Sequence, residues 1–180
     1  MRYQCASDPF PTAAPGRGTS PGGQRCVPVV EALVAGGGPA GAAAAIVLAR
    51  QGVRVLLVEA RREPDRVVAG EFLDPQASVE LLRLGVAVEH GLRGCRVSGA
   101  RVTAGPMMAA AGYAEGAAGW SLARADLDAA LLAAAGAAGV QVRVGVRAAG
   151  LLLQDGVVRG ASLDTGAGSI RGPPVVTIAA

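Results

Sequence analysis

The chain has 180 residues, 51% of them hydrophobic, and a formal net charge of +3, enough apolar material for one buried core and too little length for several. All 17 basic residues are arginine, scattered along the chain, and aromatic residues make up only 3%. A basic, aromatic-rich nucleic-acid surface is therefore not expected. Cys5, Cys26 and Cys95 are odd in number and lack Cys-x-x-Cys spacing, which argues against a disulfide framework or a zinc site and for reduced thiols in a cytoplasmic protein.

Met1 to Pro28 holds five of the 11 prolines and lacks an apolar stretch of the secretory kind. It is expected to be a disordered leader that the fold does not need, with residues 29–180 forming the domain. Ala32 to Ala49 is uncharged over 18 residues, long enough to suggest a membrane span. Its four glycines and central proline mark a turn instead, and no transmembrane segment is expected.

Val29 to Glu59 reads as strand, glycine turn, helix and second strand. The run Glu31 to Ala35 is the first strand. Gly36, Gly38 and Gly41 lie in the turn, a helix spans Ala40 to Gln51 and stops at Gly52, and Val53 to Val58 leads into Glu59. In this arrangement the first glycine permits a tight turn, the second lets backbone approach a pyrophosphate, and the third packs helix on strand. The helix beginning near Pro39 and Ala40 points unpaired N–H groups at that pyrophosphate. Glu59 would accept hydrogen bonds from a ribose diol and repel a 2′-phosphate, which favours FAD or NAD over NADP. With 27 glycines in the chain, three at fixed spacing arise by chance about 0.6 times. The flanking strand, helix and acidic residue carry the inference.

Farther on, Glu59-Ala-Arg-Arg-Glu-Pro64 is followed by Gly70-Glu-Phe-Leu-Asp-Pro75 and a leucine-rich helix, with Asp74 as N-cap, Pro75 at N1 and Gly85 at the end. Trp120-Ser-Leu-Ala-Arg-Ala-Asp-Leu-Asp128 opens a second helix, whose face is Leu127, Leu131 and Ala135. Asp126 and Asp128 suit its positive end. Arg124 does not, and needs an anionic partner. That partner is either a cofactor phosphate or one of the two aspartates. Val140 to Val144 is the third parallel strand. Leu151 to Leu153, Val157 to Leu163 and Ile170 to Ile178 are separated by turns at Asp155-Gly156 and Gly166 to Gly168, and are expected to form a small antiparallel layer.

Together these segments resemble the FAD-binding region of flavin-dependent monooxygenases and their geranylgeranyl-reductase-like and halogenase-like relatives. The resemblance covers about Val29 to Ala180 and implies a Rossmann-like α/β fold with a parallel sheet and a small antiparallel cover. It implies FAD contacts at Gly36, Gly38, Pro39, Ala40, Gly41, Glu59, Ala60, Arg61, Glu71, Arg124 and, through backbone groups, Ala148. Gly70-Glu71 is either a loop preceding the capped helix or a segment beside the flavin. It further implies oxygen insertion into a small organic substrate with NAD(P)H as donor, and a reductase or a nucleotide-binding module without redox chemistry as alternatives. Halogenation is disfavoured, because those relatives use an early lysine and this chain has none. In relatives, a strand similar to Val175 to Ala180 continues into an Ala-Asp-Gly segment and a substrate domain. This chain is expected to be the C-terminally incomplete FAD-binding part, inactive alone, with its final strand left without its usual partners. His90 is expected to be solvated, and catalytic residues and oligomeric state are not indicated.

Overall fold

The computed structural model describes residues 30–62, 70–164, 169–171 and 176–179. The expected leader therefore lies outside the described residues, as does the turn at Gly166 to Gly168. Strands β1 (Ala32–Ala35) and β2 (Val55–Glu59) are joined by helix α1 (Pro39–Arg50). With β8 (Gln141–Val144) and β12 (Val176–Ala179) they form a sheet of order β12-β1-β2-β8, in which every pairing is parallel.

Side chains alternate across this sheet, as the two-residue strand period requires. Ala32, Val34, Val55 and Leu57 face a layer made by α1 and helix α4 (Arg124–Ala137), where they pack with Ala42, Ala45, Ile46, Leu127, Leu131 and Ala135. Leu33, Leu56 and Val58 face the other way, toward Ala161 and Leu163. Burial on both faces explains why β1 and β2 read as continuous apolar runs. The alanines of α1 leave little side-chain bulk between helix and sheet, and Gly52, at φ +86°, ends the helix as expected.

The second face is covered by an antiparallel sheet of β9 (Arg147–Gln154), β10 (Val157–Asp164) and β11 (Ser169–Arg171). Asp155 and Gly156 link β9 to β10, with φ of 53° and 75°, the left-handed pair that a tight hairpin turn demands. One expectation is corrected here: Ile170 to Ile178 is not one antiparallel segment. Its beginning joins β10 antiparallel, whereas Val176–Ala179 crosses to the main sheet and pairs in parallel with β1, Ile178 opposite Val34. The final strand is thus not without a sheet.

A third, antiparallel sheet has the order β3 (Gly70–Leu73), β7 (Gly119–Ala123), β4 (Gly94–Val97). Gly70 and Glu71 therefore belong to a strand and not to a loop. Helix α2 (Pro75–Leu84) follows, with the Asp74 carboxylate accepting from the Ala77 N–H at 2.7 Å and Gly85 at φ +96° as its end. Helix α3 (Val88–Gly91) carries the exposed His90. Strands β5 (Gly99–Ala104) and β6 (Met107–Gly112) form a separate two-stranded ribbon.

Candidate functional site

The candidate site lies where β1 and β2 end and α1 begins. Gly36 leaves β1 with its N–H donating to the Val58 carbonyl at 2.9 Å and its φ at +115°, a conformation only glycine adopts readily. Gly37 is buried against β2. A Cβ there would lie 3.0 Å from both the Glu59 Cβ and the Leu132 Cδ2. Gly38 is the N-cap of α1 in an extended conformation, and a Cβ on it would lie 3.3 Å from Nη2 of Arg124. Absence of bulk, rather than backbone strain, is what Gly38 contributes. Pro39 takes N1, where its missing N–H costs nothing. Ala40 faces outward and Gly41 inward.

Glu59 meets this turn from below. Its Oε2 accepts from the Gly37 N–H at 2.7 Å, and Oε1 accepts from the Arg61 N–H at 2.9 Å and from Arg61 Nε at 3.2 Å. Burial pushes the Glu59 carboxyl up. The backbone N–H groups of Arg61 and Gly37 and the Arg61 guanidinium outweigh it, holding the group below the usual carboxylate range. The backbone around it is clasped: Val146 N–H donates to the Glu59 carbonyl at 2.9 Å, and Gly145 N–H to the Arg61 carbonyl at 3.1 Å. Ala60 is exposed between these bonds.

Arg124 stands at the start of α4, directly after β7. Its Nε donates to Asp128 Oδ1 at 2.8 Å and its Nη1 to Glu71 Oε1 at 2.7 Å. Asp128, then Glu71, push the Arg124 pKa up against the opposing effect of burial, so the side chain remains a cation. Of the two aspartates considered as partners, the chain uses Asp128. It is buried one turn into the helix, so its role is the ion pair more than the helix dipole. Asp126 alone fills the first-turn position.

The fold thus gathers the glycine turn, Glu59, Ala60, Arg61, Glu71 and Arg124 at one end of the parallel sheet. Ala148 is set apart. It lies two residues beyond the Val146 clasp, with its side chain packed against the second core cluster and its register partner Leu163 across the ladder. Three contributors escaped the sequence reading. The first is Glu71 as a partner of Arg124, joined to it across 53 residues. The Gly37 amide and the Gly145-Val146 clasp carried no local signal, because each bond joins segments distant in sequence.

A parallel sheet with a glycine turn at the first strand's end, an acidic residue at the second's, and helices on one face defines the dinucleotide-binding α/β class. Within it, this chain belongs to the FAD binding domain family, whose model matches residues 29–171. It is 45% identical over 65 residues to 6-methylpretetramide 4-monooxygenase of Streptomyces rimosus, covering 36% of this chain and 16% of that protein. It is 47% identical over 58 residues to 3-hydroxybenzoate 6-hydroxylase of Klebsiella oxytoca, covering 32% and 15%. Among solved structures, a geranylgeranyl bacteriochlorophyll reductase-like protein of Thermoplasma acidophilum superposes with a TM-score of 0.72 at 29% identity, over 84% of this chain and 39% of that one. The chain therefore spans well under half the length of these relatives. Among the described residues no helix is long and apolar enough to cross a membrane, and no group of side chains could hold a metal.

Proposed function

We propose that this chain is the FAD-binding portion of a flavin-dependent monooxygenase that inserts one oxygen atom of O2 into a small organic substrate, the other leaving as water, with NAD(P)H as the electron donor. The convergence of the Gly36 to Gly41 turn, Glu59 and Arg124 at one sheet end carries the FAD part of this reading. The chain's residues suit FAD. Gly38 leaves space beside the Arg124 guanidinium that a Cβ would fill, the first-turn N–H groups of α1 and Nη2 of Arg124 offer donors to a pyrophosphate, and the Glu59 carboxylate suits the adenosine ribose. Pro39, Ala40 and Gly41 shape the helix entry, Ala60 and Arg61 border the ribose, and Ala148 offers backbone groups near the adenine. When bound, the flavin supplies the redox chemistry. The protein's part is to hold it, orient it and exclude water.

The two hydroxylating relatives favour oxygen insertion. The reductase-like structural relative favours a second reading, in which the same FAD site serves reduction of an organic substrate. We place the domain at residues 29–180, in a cytoplasmic protein, with the substrate domain outside it. A visible absorption spectrum and FAD titration of the purified protein test the proposal, beside Gly38→Val. The branched side chain would collide with the Arg124 guanidinium and fill the pyrophosphate's place, so a folded variant without flavin absorbance is expected. Wild-type flavin retention in Gly38→Val would remove the assignment. Oxygen consumption coupled to NAD(P)H oxidation, against anaerobic product formation, separates the hydroxylase from the reductase.

A further inference from the structure

Arg124 is held by two carboxylates of different standing. Asp128 lies on the same helix, four residues along, with its side chain only 9% exposed, so it cannot leave without abandoning a buried charge. Glu71 reaches across from β3 and is 31% exposed, so water can take over its solvation. The cluster of one guanidinium and two carboxylates carries one net negative charge. It sits at Gly38, where the proposed cofactor must bring a doubly negative pyrophosphate. A site built only to receive that anion would not keep a surplus carboxylate on the guanidinium beside Gly38.

We propose that Glu71 is an internal counter-anion: it occupies Nη1 of Arg124 in the free protein and yields that position to the cofactor's pyrophosphate. Asp128 is the positioning residue, gripping Nε so that the guanidinium stays against Gly38 while its partner changes. This inference rests on the FAD assignment above. It predicts that removing Glu71's charge destabilises the free protein, which loses an ion pair, yet tightens cofactor binding, which no longer competes with it. A merely structural Glu71 would move both quantities in the same direction.

The test is FAD titration, followed by quenching of flavin fluorescence, on the full chain as wild type, Glu71→Gln and Asp128→Asn, together with melting curves without FAD. Glu71→Gln is expected to melt lower without FAD but to bind FAD about 5–20-fold more tightly at about 0.05 M salt, the gap narrowing toward about twofold at about 0.5 M as the half-exposed repulsion is screened. Asp128→Asn is expected to bind about tenfold more weakly at both salt concentrations, because it loses aim more than charge. If Glu71→Gln folds poorly, Glu71→Ala carries the same expectation. Equal or weaker FAD binding by the Glu71 variants, with wild type binding normally, would overturn the counter-anion role and leave the FAD assignment standing. Absence of FAD binding in all proteins would overturn both.

Discussion

Glu59 does two things at once: it ends a strand and it anchors the glycine turn through Gly37. Because its folded-state pKa is depressed, its ionised form is favoured by folding. The stabilisation is present above the ordinary carboxylate range and is lost as pH falls through the lowered value. Glu59→Gln keeps an oxygen for Gly37 but loses the charge that Arg61 uses. The variant should be less stable than wild type at neutral pH by about 1.5–3 kcal/mol, the range for hydrogen bonds to charged groups, and the two should converge in acid. Urea unfolding as a function of pH checks this, and a difference that persists unchanged below the carboxylate range would refute it. The Gly37 contact also explains why a chain rich in glycine still needs one here. The position is crowded by Glu59 and Leu132, not strained.

At the scale of elements, α1 and α2 are tied end to end by Arg50. It lies in the last turn of α1, and its guanidinium donates from Nη1 to the Arg83 carbonyl and from Nη2 to the Leu84 carbonyl at 3.0 Å. Those carbonyls belong to the C-terminal turn of α2, where the helix leaves acceptors unpaired and the dipole favours a cation. Arg50→Leu should cost about 0.5–1.5 kcal/mol in urea unfolding. Arg50→Lys should recover only part of that loss, since an ammonium cannot bridge two carbonyls as a fork does. Full recovery by lysine would mean that charge alone, without the paired geometry, holds the two helices. Glu71, in turn, is brought to Arg124 by the antiparallel pairing of β3 with β7, in which it lies opposite Leu122, two residues before Arg124.

Stability should be uneven across the whole molecule. Val34, Leu57 and Ile46 are fully buried between layers, whereas the β5–β6 ribbon is two strands with both faces open and Val102, Met107 and Met108 each more than 60% exposed. A two-stranded ribbon without a packed face is marginal in water. Backbone amides of residues 99–112 should therefore exchange with solvent orders of magnitude faster than those of β1 and β2, following local rather than global opening. Equal protection in native-state exchange would contradict this and indicate that the ribbon is covered in solution.

Much of this protein could be read without coordinates where a single segment carries its own signal. The buried strands, the glycine turn, the Asp74 cap, the Gly52 and Gly85 helix ends, the Asp155-Gly156 hairpin and the strand-arginine-helix order at Arg124 are all set by local periodicity and backbone chemistry. What local pattern cannot contain is which distant segments meet. The Gly37 amide on Glu59, the Val146 clasp, the capture of Arg124 by Glu71 across 53 residues, and the transfer of Val176–Ala179 to the parallel sheet depend on strand order and register. A short apolar strand such as β12 fits a parallel or an antiparallel neighbour equally well, and only the packed layers on either side of β1 decide between them.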